Sequence, residues 1–99
     1  MLNELISEFA QWLSEADETQ IYNGEKSLGK GLILVNVLLG DKITIKSVLD
    51  VENSKFIDQK ELDMDIDLFL EIASKLLKNR KKELQKQRII ELSNEEPYK

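Results

Sequence analysis

Neither cysteine nor histidine occurs in the 99 residues, and there is a single proline. The chain therefore has no thiol nucleophile, no disulfide framework, no cysteine–histidine zinc site and no Ser-His-Asp triad. Long apolar runs are missing too: none approaches the roughly 18 residues that cross a bilayer. The start, Met1-Leu2-Asn3-Glu4, lacks the basic stretch and small-residue cleavage site of a signal peptide, so the chain reads as cytoplasmic. The absence of cysteine agrees with that compartment.

What is present is 41% hydrophobic and 33% charged residues, with a formal net charge of -5. That length suits one domain burying about 60–65% of the surface of its unfolded chain, and the apolar content is too high for disorder throughout. One α+β domain is expected over 1–92, with a frayed tail at 93–99.

Leu2, Leu5, Ile6, Phe9, Trp12, Leu13 and Ala16 recur at helical spacing with polar residues between them, which predicts an amphipathic helix. It should fade around Ala16 to Thr19, where Asp17 and Glu18 meet the negative end of the helix dipole. Phe9 and Trp12 read as core. Gln20 to Gly31, with three of the four glycines, reads as a loop or short irregular hairpin.

Leu32 to Leu39 is apolar on both alternating faces except at Asn36, which predicts a strand covered on both sides. Gly40-Asp41 supplies a two-residue turn. Beyond it, Ile43, Ile45, Ser47, Leu49 and Val51 alternate with Lys42, Thr44, Lys46, Val48, Asp50 and Glu52, the pattern of a half-buried strand. Asn53-Ser54 turns the chain into a short third strand, Lys55 to Asp58. The middle is thus predicted to be a three-stranded antiparallel meander.

Asp63 or Asp65 can cap a final helix in which Ile66, Phe69, Leu70, Ala73, Leu76 and Leu77 form an apolar stripe. Past Leu77 only Leu84 continues the stripe, yet no helix breaker appears before Leu92. About 28 helical residues span about 42 Å, more than the roughly 30 Å diameter of a compact domain this size. The long helix should pack its first half on the sheet and overhang with the rest.

Charge is concentrated at that end. Residues 1–74 hold six lysines against fifteen acids, a net −9, whereas residues 75–88 hold seven bases against Glu83 alone, a net +6. Lys78, Lys82 and Lys86 share one face and repel by a few tenths of a kcal/mol per pair. Three readings compete: complementarity to the helix dipole, with acids at Asp63, Asp65 and Asp67, bases near the other end and good helix formers filling a solvated surface; a docking surface for an acidic protein partner or second subunit; and contact with a phosphate backbone. The candidate partner-binding residues are Lys75, Lys78, Arg80, Lys81, Lys82, Lys86 and Arg88. Ile89, Ile90 and Leu92 form a late apolar knob, either folded back or an oligomer contact.

Two motifs come close to ligand loops and fail. Gly24 to Lys30 matches the glycine–lysine spacing of a P-loop, but Gly31 lacks the magnesium-binding hydroxyl and a strand follows instead of a helix. Asp63, Asp65 and Asp67 imitate half a calcium loop, but its glycine and bidentate glutamate are replaced by Leu68 and Ser74. No cofactor, metal, membrane or small-molecule substrate is expected, and no catalysis. The sequence points to a small non-catalytic interaction module of regulator or inhibitor type, a homodimer in one reading, docking a macromolecule through its acidic body and overhanging basic helix. The alternative is a nucleic-acid-binding protein using residues 75–88.

Overall fold

The computed structural model describes the backbone of residues 1–95 and the side chains of residues 1–86. In chain order the elements are α1 (Leu2–Glu15), α2 (Glu18–Tyr22), β1 (Glu25–Leu28), β2 (Ile33–Leu38), β3 (Lys42–Asp50), β4 (Lys55–Ile57), a 3-10 turn (Gln59–Glu61) and α3 (Ile66–Glu95). The strands form one antiparallel sheet in the order β1-β2-β3-β4. The α+β expectation stands, with one more strand in the meander than the sequence suggested.

The extra elements lie in and just before the segment read as a loop or short irregular hairpin. Ala16 closes α1 and Asp17 opens α2: the Asp17 carboxylate accepts from the Gln20 N–H at 2.8 Å, while the Gln20 side chain accepts from the Asp17 N–H at 3.1 Å. This reciprocal capping box satisfies two otherwise free amide groups and starts a helix of only five residues. Gly24 then allows a close approach, since a Cβ there would collide with the Gln20 carbonyl oxygen. β1 follows at once and pairs with β2, Leu28 opposite Ile33. The Gly29-Lys30-Gly31 turn between them has positive φ at all three residues.

The β2–β3 turn sits one residue earlier than expected. Leu39 and Gly40, not Gly40 and Asp41, are its central residues, with φ of 56° and 68°. Both therefore adopt the left-handed conformation of a type I′ turn, closed by the Asp41 N–H donating to the Leu38 carbonyl at 3.2 Å. The α2 segment imposes this placement, because the Asn23 side chain accepts from the Leu39 N–H at 3.0 Å and the Tyr22 carbonyl accepts from the Gly40 N–H at 2.7 Å.

The alternation read in β3 is also corrected. Val35 pairs with Ile45 and Leu34 with Ser47, leaving Lys46 as a bulge. One extra residue exchanges the two faces beyond it. Ile43, Ile45 and Val48 therefore face the core, and Ser47 and Leu49 lie on the outer face. The Gln59 side chain donates to the Ile45 carbonyl at 3.2 Å. Phe56, paired with Leu49, joins the outer face and is 74% exposed.

Both α1 and α3 lie on one side of the sheet, so the helices do not cover β2 on both faces. Ile33, Val35 and Val37 are buried, Leu34 and Asn36 are half-buried, and Leu38 is exposed. Between sheet and helices the core is contiguous, with Leu5, Phe9 and Leu13 from α1, Phe69, Ala73 and Leu77 from α3, and Leu28 and Val48 from the sheet. Phe9 lies at its centre, with its ring 6.4 Å from Phe69 and 5.7 Å from the partly buried Trp12.

Asp65 accepts from the Leu68 N–H at 3.0 Å and so starts α3 as anticipated. The helix then runs unbroken for 30 residues, about 45 Å. The molecule measures 64 × 21 × 20 Å with a radius of gyration of 16.5 Å, against about 13 Å for a compact domain of this length. Its accessible surface is 7031 Å², where a compact protein of 11.5 kDa exposes roughly 5,800 Å². The excess belongs to a helix too long for its body.

Candidate functional site

α3 carries two different faces. Its inner face is apolar through Leu77 and continues with Arg80, Lys81 and Leu84. Its outer face presents Lys75, Lys78, Lys82 and Lys86, all exposed and confined to an arc of about 80° on a helix of 3.6 residues per turn. Among the described residues only Lys75 of these four has an ion pair, a loose one to Glu71 at 3.7 Å.

The helix dipole does not account for this stripe. Its stabilisation of cations falls off within the last turn, and that turn lies near Glu95 and contains no basic residue. Lys75 and Lys86 stand 20 and 9 residues before Glu95, far outside that range. The four like charges, each neighbouring pair mildly repulsive, form the solvated face of the helix opposite its apolar stripe.

The other sequence candidates divide. Arg80 is not part of the outer surface: its side chain is 17% exposed, adjoins Ala10, Leu13 and Ser14 of α1, and donates to Glu83 at 3.3 Å. Its Nε is buried with no partner among the described residues. Lys81 is half-buried, against α2 and the β2–β3 turn. Arg88, Ile89, Ile90 and Leu92 belong to α3 by backbone, but their side chains lie outside the described residues, as does most of the 93–99 stretch.

A second feature escaped the sequence reading. Ile21, Tyr22, Leu39, Gly40, Lys81, Leu84 and Gln85 line an open cleft of about 350 Å³. Tyr22 is 55% and Leu39 59% exposed at its mouth, and Leu38, 46% exposed, stands beside them. Leu39 is unusual twice over: an exposed leucine in a left-handed conformation, which disfavours ordinary L-residues by about 1–2 kcal/mol. The only sequence signal was the leucine before Gly40, where a type I′ turn prefers Asn or Asp.

The glycine-rich turn offers nothing to a phosphate. The Gly29 N–H already donates to the Glu8 carboxylate at 2.7 Å, which places a negative charge where an anion would sit. Among the described residues no three acidic side chains converge as metal donors. No helix among them is long and apolar enough to cross a membrane. No protein family, curated protein or solved structure matches this chain.

Proposed function

We propose that this protein is a small cytoplasmic interaction module of the regulator or inhibitor type, without catalytic activity of its own. It docks a macromolecular partner through its acidic body and the lysine stripe of α3. The carrying observation is the stripe itself: Lys75, Lys78, Lys82 and Lys86 are exposed on one side of an unbroken helix, beyond the reach of the dipole that would make them structural. Rigidity supports the reading, because a helix fixed to the core through Phe69, Ala73 and Leu77 presents its charges with little ordering left to do on binding.

A second reading, contact with a nucleic-acid backbone, draws on the same residues. Its support is their linear arrangement, four cations over about 16 Å of helix axis, in a register a polyanion can follow. The net −9 of residues 1–74 opposes it.

Fluorescence anisotropy with three labelled probes, an acidic polyglutamate peptide, single-stranded DNA and double-stranded DNA, tests both. The variant joins Lys75→Ala, Lys78→Ala and Lys82→Ala. Peptide binding that the variant abolishes supports protein docking. Oligonucleotide binding with a steep negative salt slope, reduced by about one unit per lysine removed, supports the nucleic-acid reading. Failure of all three probes to bind at low salt overturns both.

A further inference from the structure

β1 is an end strand of the sheet, and among the described residues no further strand lies beside it. One bond fixes the direction of its main-chain groups. The Gly24 carbonyl accepts from the Val37 N–H at 2.8 Å, so Gly24, Lys26 and Leu28 turn toward β2, and by alternation Glu25 and Ser27 turn outward. Residues 25–27 are all exposed. Two N–H and two C=O groups are thus aimed at solvent along an open edge. The other edge offers less. There the Leu49 N–H donates to the Leu32 carbonyl, which leaves Phe56 as the one residue of β4 turned outward.

α1 runs alongside the open edge of β1. The Glu8 carboxylate accepts from the Gly29 N–H at one end of the strand, and the Trp12 ring lies against Gly24 at the other. Between these two points Glu8, Gln11, Trp12 and Glu15 of α1 and Lys26 and Ser27 of β1 line a cleft of about 340 Å³.

We infer that this cleft receives an extended basic segment of a partner protein, added to β1 as a further strand. The outward main-chain groups call for a strand, and the walls set its chemistry. Two carboxylates stand against one lysine, a net −1, and Glu4 lies one turn before Glu8 on the same flank of α1. Among the described residues Glu15 has no ion pair. An arginine or lysine entering near Gly24 meets that carboxylate and the Trp12 ring together.

A second copy does not fit the same edge. Two antiparallel β1 strands that use both outward residues must pair Glu25 with Ser27 in each direction, which sets Lys26 directly opposite the Lys26 of the other copy. Like charges so placed are destabilising, and a lysine on the inner face of an edge strand guards against self-pairing. A foreign strand with a small residue opposite Lys26 and a basic one two positions along, toward Gly24, meets no such clash. This partner chemistry deepens the acidic-body half of the proposed function and rests on it.

Fluorescence anisotropy with a labelled peptide repeating Arg-Thr-Ser-Thr provides the test. The unaltered chain should bind it, and Glu15→Gln should weaken binding several-fold. Ser27→Pro removes one outward N–H without costing β1 a bond to β2, a change that edge strands tolerate. It should weaken binding about fivefold or more, the worth of one hydrogen bond, and circular dichroism confirms that the variant is folded. The same peptide with its backbone N-methylated should fail to bind the unaltered chain, which tests strand addition without altering the protein. Absence of binding at low salt overturns the inference. Equal binding of the N-methylated peptide overturns it too, since charge alone would then account for the contact, and so does equal binding of a Gln-Thr-Ser-Thr peptide. A mass in light scattering that doubles with concentration, and returns to the monomer value in Ser27→Pro, would make a second copy the occupant and equally refute it. The Lys75/Lys78/Lys82 variant should bind the arginine peptide as the unaltered chain does, so a failure here and a failure of the stripe probes are told apart.

Discussion

The triple substitution Lys75→Ala, Lys78→Ala and Lys82→Ala decides whether the stripe holds the fold together or serves an external contact. If the lysines were structural through the helix dipole, each would contribute about 0.3–1 kcal/mol and their removal would destabilise by about 1–3 kcal/mol. The geometry gives a different balance. Removing Lys78 and Lys82 abolishes two repulsive i,i+4 pairs, Lys78/Lys82 and Lys82/Lys86, a gain of a few tenths of a kcal/mol each. Alanine is a slightly better helix former than lysine at exposed positions, which adds a similar gain. Against this stands the Lys75–Glu71 pair at 3.7 Å, whose side chains are 72% and 62% exposed; screening limits such a pair to about 0.3–0.5 kcal/mol. The net expectation is unchanged stability or a gain of up to about 1 kcal/mol, an increase in Tm of no more than about 4–8 °C. Urea unfolding followed by Trp12 fluorescence and far-ultraviolet circular dichroism reads the difference directly. A loss of 1 kcal/mol or more would refute the reasoning and return the stripe to a structural role.

Other perturbations probe the fold that carries the stripe. Phe9→Ala opens a cavity among Trp12, Phe69 and the sheet, and should lower the unfolding free energy by about 3–5 kcal/mol in chemical denaturation; a loss below about 2 kcal/mol would mean that Phe9 is not central. Gly24→Ala, which drives a methyl group into the Gln20 carbonyl, should destabilise by at least about 1 kcal/mol and increase amide exchange in α2 and β1 before other regions. Asp17→Ala removes the capping box and should loosen α2 by about 1 kcal/mol, seen as faster exchange of the Gln20 amide. The Asp50 carboxyl at the β3–β4 turn is held below its ordinary value of 3.8, first by the Asn53 side-chain amide and then by the Asn53 N–H. The ionised form is thus favoured by folding, its contribution is present above the unfolded value and is lost as pH falls through the lower folded one. An NMR titration of the Asn53 amide should have its midpoint below 3.8; a midpoint at or above that value would contradict the assigned hydrogen bonds.

The long elements were legible because their apolar residues repeat at the period of the structure that buries them. α1 and the first half of α3 were readable from such stripes, and the unbroken length of α3 from the lack of any breaker before Leu92. What escaped was set by single residues acting across the chain. The bulge at Lys46 leaves no trace in the alternation of β3, and it is fixed by pairing with β2. α2 is too short for periodicity to register, and its marker was the Asp17/Gln20 pair, whose spacing matches a capping box. β1 was hidden by glycines on both sides and by having only Leu28 buried. Arg80 was grouped with the free cations because sequence counts charge without showing which flank of a helix meets a neighbour.

Placing Arg80 against α1 clarifies the surface rather than weakening it. Once Arg80 and Lys81 are assigned to the body side, the four lysines that remain share a single narrow arc, in which only Lys75 has an ion pair among the described residues, to Glu71 at 3.7 Å. Lys81 and Gln85 line the cleft beside Tyr22, Leu39 and Leu84, so the stripe borders that cleft along one edge. A partner that follows the helix axis meets four cations over about 16 Å, whereas a compact acidic group meets one or two. Binding to an extended acidic probe should therefore weaken with each lysine removed, and Lys86→Ala alone should cost less than the joint Lys75, Lys78 and Lys82 substitution. Equal losses in the two would show that the contact is confined to the distal end of the stripe.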